Sequence, residues 1–278
     1  MQLSPLPNAL LIGIKKNFAW ACLQATMLDL DHLRALIEEG QEWAICQDWL
    51  HGTEQEKLST LHYQKRHLEW LGGRICAKQA ARQYLLHGSQ GNPSEPATLR
   101  APHLLVTSTP SGRPLLDPGI LPENLNIPHL SISHSKRYAL AVAASVPCGI
   151  DIQATSDALG RVKDRFCSRE EEALLDRHLR KLQPSDHLTL LWAAKEAVKK
   201  ATDFDRMPGF LDLTLTHIQS ISETDSPANC LFTLDYQDRH QGSSTPQLQF
   251  QVTVCLYQGY GIGLCVISSQ PCLGINNA

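Results

Sequence analysis

The chain has 278 residues, 42% of them apolar and 19% charged, with a formal net charge of −3 at neutral pH. This composition fits a globular protein with a sizeable core and excludes a disordered chain; without a basic surplus, any basic surface has to be local. No run approaches eighteen apolar residues, so no transmembrane helix is expected, and Leu10-Leu11-Ile12 ahead of Lys15-Lys16 reverses the order of a secretory signal.

Residues 1–51 either cover the sheet of a first half or are an addition to it. Thr53-Glu54-Gln55-Glu56 reads as a capping box opening a helix. A longer helical pattern runs from Lys65 to about Leu86, with Leu68, Leu71, Ile75 and Gln79 on one stripe and Arg66, Trp70, Arg74, Lys78 and Arg82 beside it. Gly72-Gly73 costs that helix about 1 kcal/mol each relative to alanine, a cost that close approach of a backbone or ligand would explain. A Gly/Pro/Ser-rich stretch, His87 to Pro96, ends it.

Leu104 to Pro128 reads as short strands and turns around Ser111-Gly112-Arg113-Pro114, followed by a strand, Leu130 to Ser135, that ends in hydroxyls and an imidazole. Tyr138–Val146 and the run around Gly149-Ile150-Asp151 read as further strands. Ser168-Arg169-Glu170-Glu171 is a second capping box, predicting a helix to about Leu182; Pro184-Ser185-Asp186 caps the next helix. Strands are predicted over Leu211–His217, Leu231–Tyr236, Leu248–Leu256 and Ile262–Val266. Each half runs helix first and strands afterwards, an α+β pattern with a break near Pro147, giving domains 1–147 and 148–278.

Nine cysteines, at 22, 46, 76, 148, 167, 230, 255, 265 and 272, include no Cys-x-x-Cys, and the twelve histidines include no pair at i, i+4. Structural zinc is therefore not expected; buried thiols in a reducing, cytoplasmic setting are.

Two acidic sites carry the chemistry. Asp151 sits inside an apolar, β-branched run, where an unpaired charge is costly. Trp192, Glu196 and Lys200 fall at i, i+4, i+8 on one helical face. Taken singly, Asp151 reads as a buried loop-capping acid and Glu196 with Lys200 as a surface ion pair. Together they suit a divalent cation holding a phosphorylated ligand. Ser133-His134-Ser135 reads equally as a phosphate contact or a solvated turn. The arginine stripe reads as a solvated helix face or a phosphate reader.

These parts resemble the 4′-phosphopantetheinyl transferase superfamily in its larger, Sfp-type form. The family's Gly-[Val/Ile]-Asp, Phe-x-x-x-Glu and Trp-x-x-Lys-Glu-Ala-x-x-Lys are matched by Gly149-Ile150-Asp151, by Phe166 to Glu170, and by Trp192, Lys195, Glu196, Ala197 and Lys200. Upstream, Trp70-Leu71-Gly72-Gly73-Arg74, Gly112-Arg113-Pro114 and Ser131 to Ser135 are similar to its helix, turn and strand-end motifs. The resemblance covers about residues 53 to 205. It implies a pseudo-two-fold arrangement of two similar halves, each a small, mostly antiparallel sheet on a long helix, with the coenzyme in the cleft between them. It implies an enzyme that moves 4′-phosphopantetheine from coenzyme A to a serine of an apo acyl or peptidyl carrier protein, with Mg²⁺, releasing adenosine 3′,5′-bisphosphate.

By that resemblance Asp151 and Glu196 ligate the metal, with Gln153 facing it where many members have a second acid. Glu196 takes the serine proton and Lys200 binds the β-phosphate. Arg74, Arg113, Ser133, His134, Lys195 and Lys200 contact coenzyme A, Ser133 and His134 at its 3′-phosphate. Gln153 supplies no charge, so weaker Mg²⁺ affinity is expected. The expected partners are carrier proteins and the coenzyme, without nucleic acid or membrane, for a monomer. An inactive coenzyme-binding scaffold of the same fold is the alternative, and a nucleic-acid binder using the arginine stripe a more distant one.

Overall fold

The computed structural model describes residues 3–88, 99–121, 125–204, 207–221, 229–237 and 248–268. The Gly/Pro/Ser-rich stretch after residue 88 and Cys272 lie outside them. In chain order the helices and strands are α1 (Asn8–Asn17), β1 (Leu23–Asp29), α2 (Leu30–Glu38), α3 (Glu42–Trp49), α4 (Gly52–Ser59), α5 (Gln64–Gly88), β2 (Val106–Ser108), β3 (Pro114–Leu116), β4 (His129–Ser135), β5 (Tyr138–Ala144) and β6 (Cys148–Ala154). They continue as α6 (Asp157–Arg161), α7 (Arg169–His178), α8 (Pro184–Ala201), β7 (Leu213–Ser220), β8 (Asn229–Tyr236), β9 (Leu248–Tyr257) and β10 (Tyr260–Val266). The fold is mixed α+β. Its sheet registers are antiparallel and its elements divide into two compact units.

The first unit comprises Met1–Leu6 and Trp20–Ile152. Its main sheet has the order β1-β5-β4, so the segment before residue 52 supplies an edge strand, Leu23 pairing with Ala144 and Asp29 with Tyr138. Helix α5 lies across all three strands. Close approach is possible because the facing surfaces are small: β5 presents Ala139, Ala141 and Ala143 to the core, and α5 presents Gly72, Ala77 and Ala80. A methyl group on Gly72 would collide with Leu30 and touch Ala139, and one on Gly73 would sit 3.0 Å from Ile132. The paired glycines thus serve helix-on-sheet packing. Asp29 ends β1 and caps α2 by accepting the Asp31 N–H (2.9 Å), while Arg137 in the β4–β5 turn grips its other oxygen at 2.7 Å.

Two caps differ from their sequence reading. The box that opens α4 is formed by His51 and Glu54, not Thr53 and Glu56: the Thr53 N–H bonds His51 Nδ1, and Glu54 accepts the His51 N–H at 3.0 Å. Helix α7 starts as predicted from the Ser168/Glu171 box but stops at His178 rather than Leu182, Leu179 closing it by donating to Leu175 O.

The second unit comprises Pro7–Ala19 and residues 153–278. Its sheet has the order β6-β10-β9-β8-β7, entered by β6, whose last residues, Gln153 and Ala154, belong to this unit. Helix α8 covers the face of Phe250, Val252 and Val254, burying Leu191, Ala194 and Val198 against them. Helix α1 packs on β9 and β8. Gly13 meets Thr253 with no room for a Cβ, and Asn17 donates to the Thr253 hydroxyl at 3.0 Å. Among the described residues no helix is long and apolar enough to cross a membrane.

Candidate active site

Within the first unit, the alternation of β4 separates its functional side chains. Ser131 and Ser133 are buried on one side, whereas His134 is exposed on the other. Ser131 Oγ accepts the Ile150 N–H (3.1 Å) and Ser133 Oγ accepts the Ile152 N–H (3.2 Å). Asp151, between those two amides, is only 6% exposed, and its Oδ1 accepts the Ser133 hydroxyl at 2.8 Å. This corrects the coenzyme contact expected of Ser133. A hydroxyl has one proton, and this one is given to the aspartate rather than to a phosphate.

His134 places Nδ1 3.6 Å from Glu69 of α5. Arg113 sits half-buried after the β2–β3 turn, its N–H on the Thr109 hydroxyl. Burial, with the Arg113 positive charge added, holds the His129 imidazole below its usual pKa. Arg74 lies over the Trp70 ring (4.9 Å) with Nε 3.7 Å from Glu54, and burial pushes its pKa down against that carboxylate's pull. Lys78 is wholly buried and paired with Glu54, so the basic stripe is neither a solvated face nor a continuous phosphate reader.

Within the second unit, α8 carries the other set. Gly263 of β10 lets the helix come down onto the strand, a Cβ there lying 2.6 Å from Ala193 O. Trp192 packs against Phe166 (5.1 Å between centroids) and Phe210 (4.4 Å). Lys195, one position before Glu196, points inward: its Nζ reaches Glu171 Oε1 (2.7 Å), Phe166 O (2.6 Å) and Phe210 O (3.1 Å), at 0% exposure. Three acceptors match the three protons of an ammonium. The phosphate contact expected of Lys195 is therefore replaced by a structural role. Its partner is Glu171, and the exposed Glu170, which the Phe-x-x-x-Glu match selects, is not part of the lock.

Glu196 is half-buried and bonded to Lys199 Nζ at 2.8 Å, not to Lys200 as the i, i+4 spacing predicts. Lys199 in turn stands 4.1 Å over the Phe210 ring. Lys200 is half-buried on the same turn. Gln153 gives its Nε2 to Ala154 O (3.1 Å), so its carbonyl Oε1 is the atom suited to a cation. Sequence reasoning misses Lys199, whose one visible sign is the doubled lysine after Glu196, and it selects Ser133 as a coenzyme contact and not as the donor to Asp151.

Among the described residues, no three His, Cys, Asp or Glu side chains converge into a metal cage. The candidate donors are all hard oxygens, the Asp151 carboxylate in the first unit and the Glu196 carboxylate and Gln153 carbonyl in the second. Oxygen donors suit Mg²⁺, which binds through one or two carboxylates and takes its remaining ligands from water and substrate phosphates.

Residues 147–265 match the family model of the 4′-phosphopantetheinyl transferase superfamily, a span that holds Asp151, Gln153, Lys195, Glu196 and Lys200. The match points to phosphopantetheine transfer in general. No curated protein matches the chain.

Proposed function

We propose that the protein transfers 4′-phosphopantetheine from coenzyme A to a serine hydroxyl of an apo acyl or peptidyl carrier protein, in the manner of the Sfp-type enzymes. The observation that carries this reading is the family match over residues 147–265, which includes both acids. In the reaction the serine oxygen bonds to the pantetheine-bearing phosphorus, the bridging P–O bond breaks, and adenosine 3′,5′-bisphosphate leaves. Glu196 accepts the serine proton, directly or through water. Asp151 and Glu196 would hold Mg²⁺, with Gln153 through its carbonyl or a water, and the ion would supply charge neutralisation at the pyrophosphate. Lys200 binds the β-phosphate, His134 the 3′-phosphate, and Arg74 and Arg113 contact the nucleotide. The pseudo-two-fold arrangement of halves belongs to the same proposal. It is supported by a buried glutamate–lysine lock that each unit carries.

The test is incubation with coenzyme A, Mg²⁺ and a panel of apo carriers, read as the phosphopantetheine mass gain, with Glu196→Gln as control. Coenzyme binding without a mass gain on any carrier would assign the inactive scaffold instead.

A further inference from the structure

We infer that Ser133 is a positioning residue for the metal-binding carboxylate of Asp151, and not a coenzyme contact; the inference rests on the function proposed above. Ser133 and Asp151 are 5% and 6% exposed, and the serine hydroxyl is engaged both as donor and as acceptor: its proton goes to Asp151 Oδ1 (2.8 Å) and its oxygen takes the Ile152 N–H (3.2 Å). The bond to Oδ1 fixes the carboxylate's rotation, and the bond from Ile152 fixes the serine that makes it. A carboxylate held in one rotation presents its oxygens to a hard cation in one fixed direction. Such supporting bonds to metal ligands are worth 10–100-fold in metal affinity.

Ser131 offers a control built into the same strand. Its Oγ accepts the Ile150 N–H at 3.1 Å, a bond to the backbone amide and not to the carboxylate. Replacing either serine by alanine removes an acceptor for one β6 amide. Only Ser133→Ala also removes the donor to Asp151.

The full-length protein is titrated with Mn²⁺, free ion being followed by electron paramagnetic resonance, with and without coenzyme A. Ser133→Ala should weaken Mn²⁺ binding about 10-fold or more, Ser131→Ala should stay within about two-fold of wild type, and Ser133→Thr, which keeps the hydroxyl, should restore most of the loss. At saturating metal, the coenzyme KM of Ser133→Ala should be unchanged. Thermal melts of the two alanine variants measure the cost they share. Equal Mn²⁺ affinity in Ser133→Ala and wild type, an equal loss in Ser131→Ala, or a raised coenzyme KM at saturating metal would each overturn the positioning role. If wild type itself binds no Mn²⁺ but transfers phosphopantetheine, the positioning role falls while the transferase reading stands. If it binds Mn²⁺ with the expected Ser133 dependence but modifies no carrier, the transferase reading falls alone.

Discussion

Lys195 meets Glu171 at 2.7 Å in the second unit, and Lys78 meets Glu54 in the first, each lysine twenty-four residues after its glutamate (171 to 195, 54 to 78). Both acids are the third residue of a helix and take the N–H of its cap, from Ser168 (2.8 Å) and His51 (3.0 Å). Both also take a strand N–H, from Leu215 (2.8 Å) and Val106 (3.2 Å). One carboxylate thus ties a helix start, a strand and the long helix of its unit.

Removing one partner of such a lock leaves the other charge buried. Glu171→Gln or Lys195→Met should each cost about 3–5 kcal/mol, read from urea unfolding. The double variant should cost less than the sum of the two. Additive costs would mean that the pair is not energetically coupled.

Gly263 sets how closely α8 lies on β10. A Cβ there would be 2.6 Å from Ala193 O and 2.7 Å from Ala193 C, backbone atoms that no rotamer change can move. Gly263→Ala should therefore destabilise by about 1–3 kcal/mol, and it should lower transfer activity further by shifting the helix that carries Glu196. Gly160, inside α6 with open space where a Cβ would lie, is the contrast: Gly160→Ala should stabilise by about 0.5–1 kcal/mol. Similar melting temperatures for the two variants would show that the close contact does not constrain the helix.

Regular periodicity made most of the fold legible. The strands expected at Leu231–Tyr236, Leu248–Leu256 and Ile262–Val266 lie within β8, β9 and β10, and α5 lies within two residues of its expected limits. What escaped had no local signal. Strand β1 is fixed by β5, more than a hundred residues away, and α1 by a glycine meeting Thr253. The buried pairs escape because twenty-four residues is no helical repeat, so Lys78 reads as part of a solvated face or a phosphate reader and Lys195 as a phosphate ligand. Asp151 was singled out correctly as a carboxylate in need of a partner, but alternation along β4 could not reveal that Ser133 supplies a hydrogen bond.

The buried thiols set an alkaline limit. Burial pushes Cys148 and Cys255 up to about 12 and Cys230 up to about 11; burial, followed by the Glu171 charge, takes Cys167 to about 12. In the unfolded chain these thiols ionise near 9.0. Above that pH the unfolded state binds fewer protons than the native one, so stability is full below 9 and falls as pH rises towards 11–12. Each thiol contributes at most about 1.4 kcal/mol per pH unit. Urea unfolding under reductant should show this decline, and Cys255→Ala should make it shallower by nearly one proton. An unchanged slope in that variant would exclude Cys255 as a source.

Gln153 bears on how strongly the proposed site holds Mg²⁺. Its amide supplies a carbonyl dipole where a glutamate would supply a full charge, and its Nε2 is already given to Ala154 O at 3.1 Å. Gln153→Glu adds an acid two residues after Asp151. Without metal the two charges repel, so the variant should melt below wild type. With Mg²⁺ the repulsion becomes attraction to the ion, so the variant should gain more in melting temperature per increment of Mg²⁺. The Mg²⁺ concentration giving half-maximal transfer should fall in parallel. Identical Mg²⁺ responses in the two proteins, by melting and by activity alike, would place residue 153 outside the metal's reach.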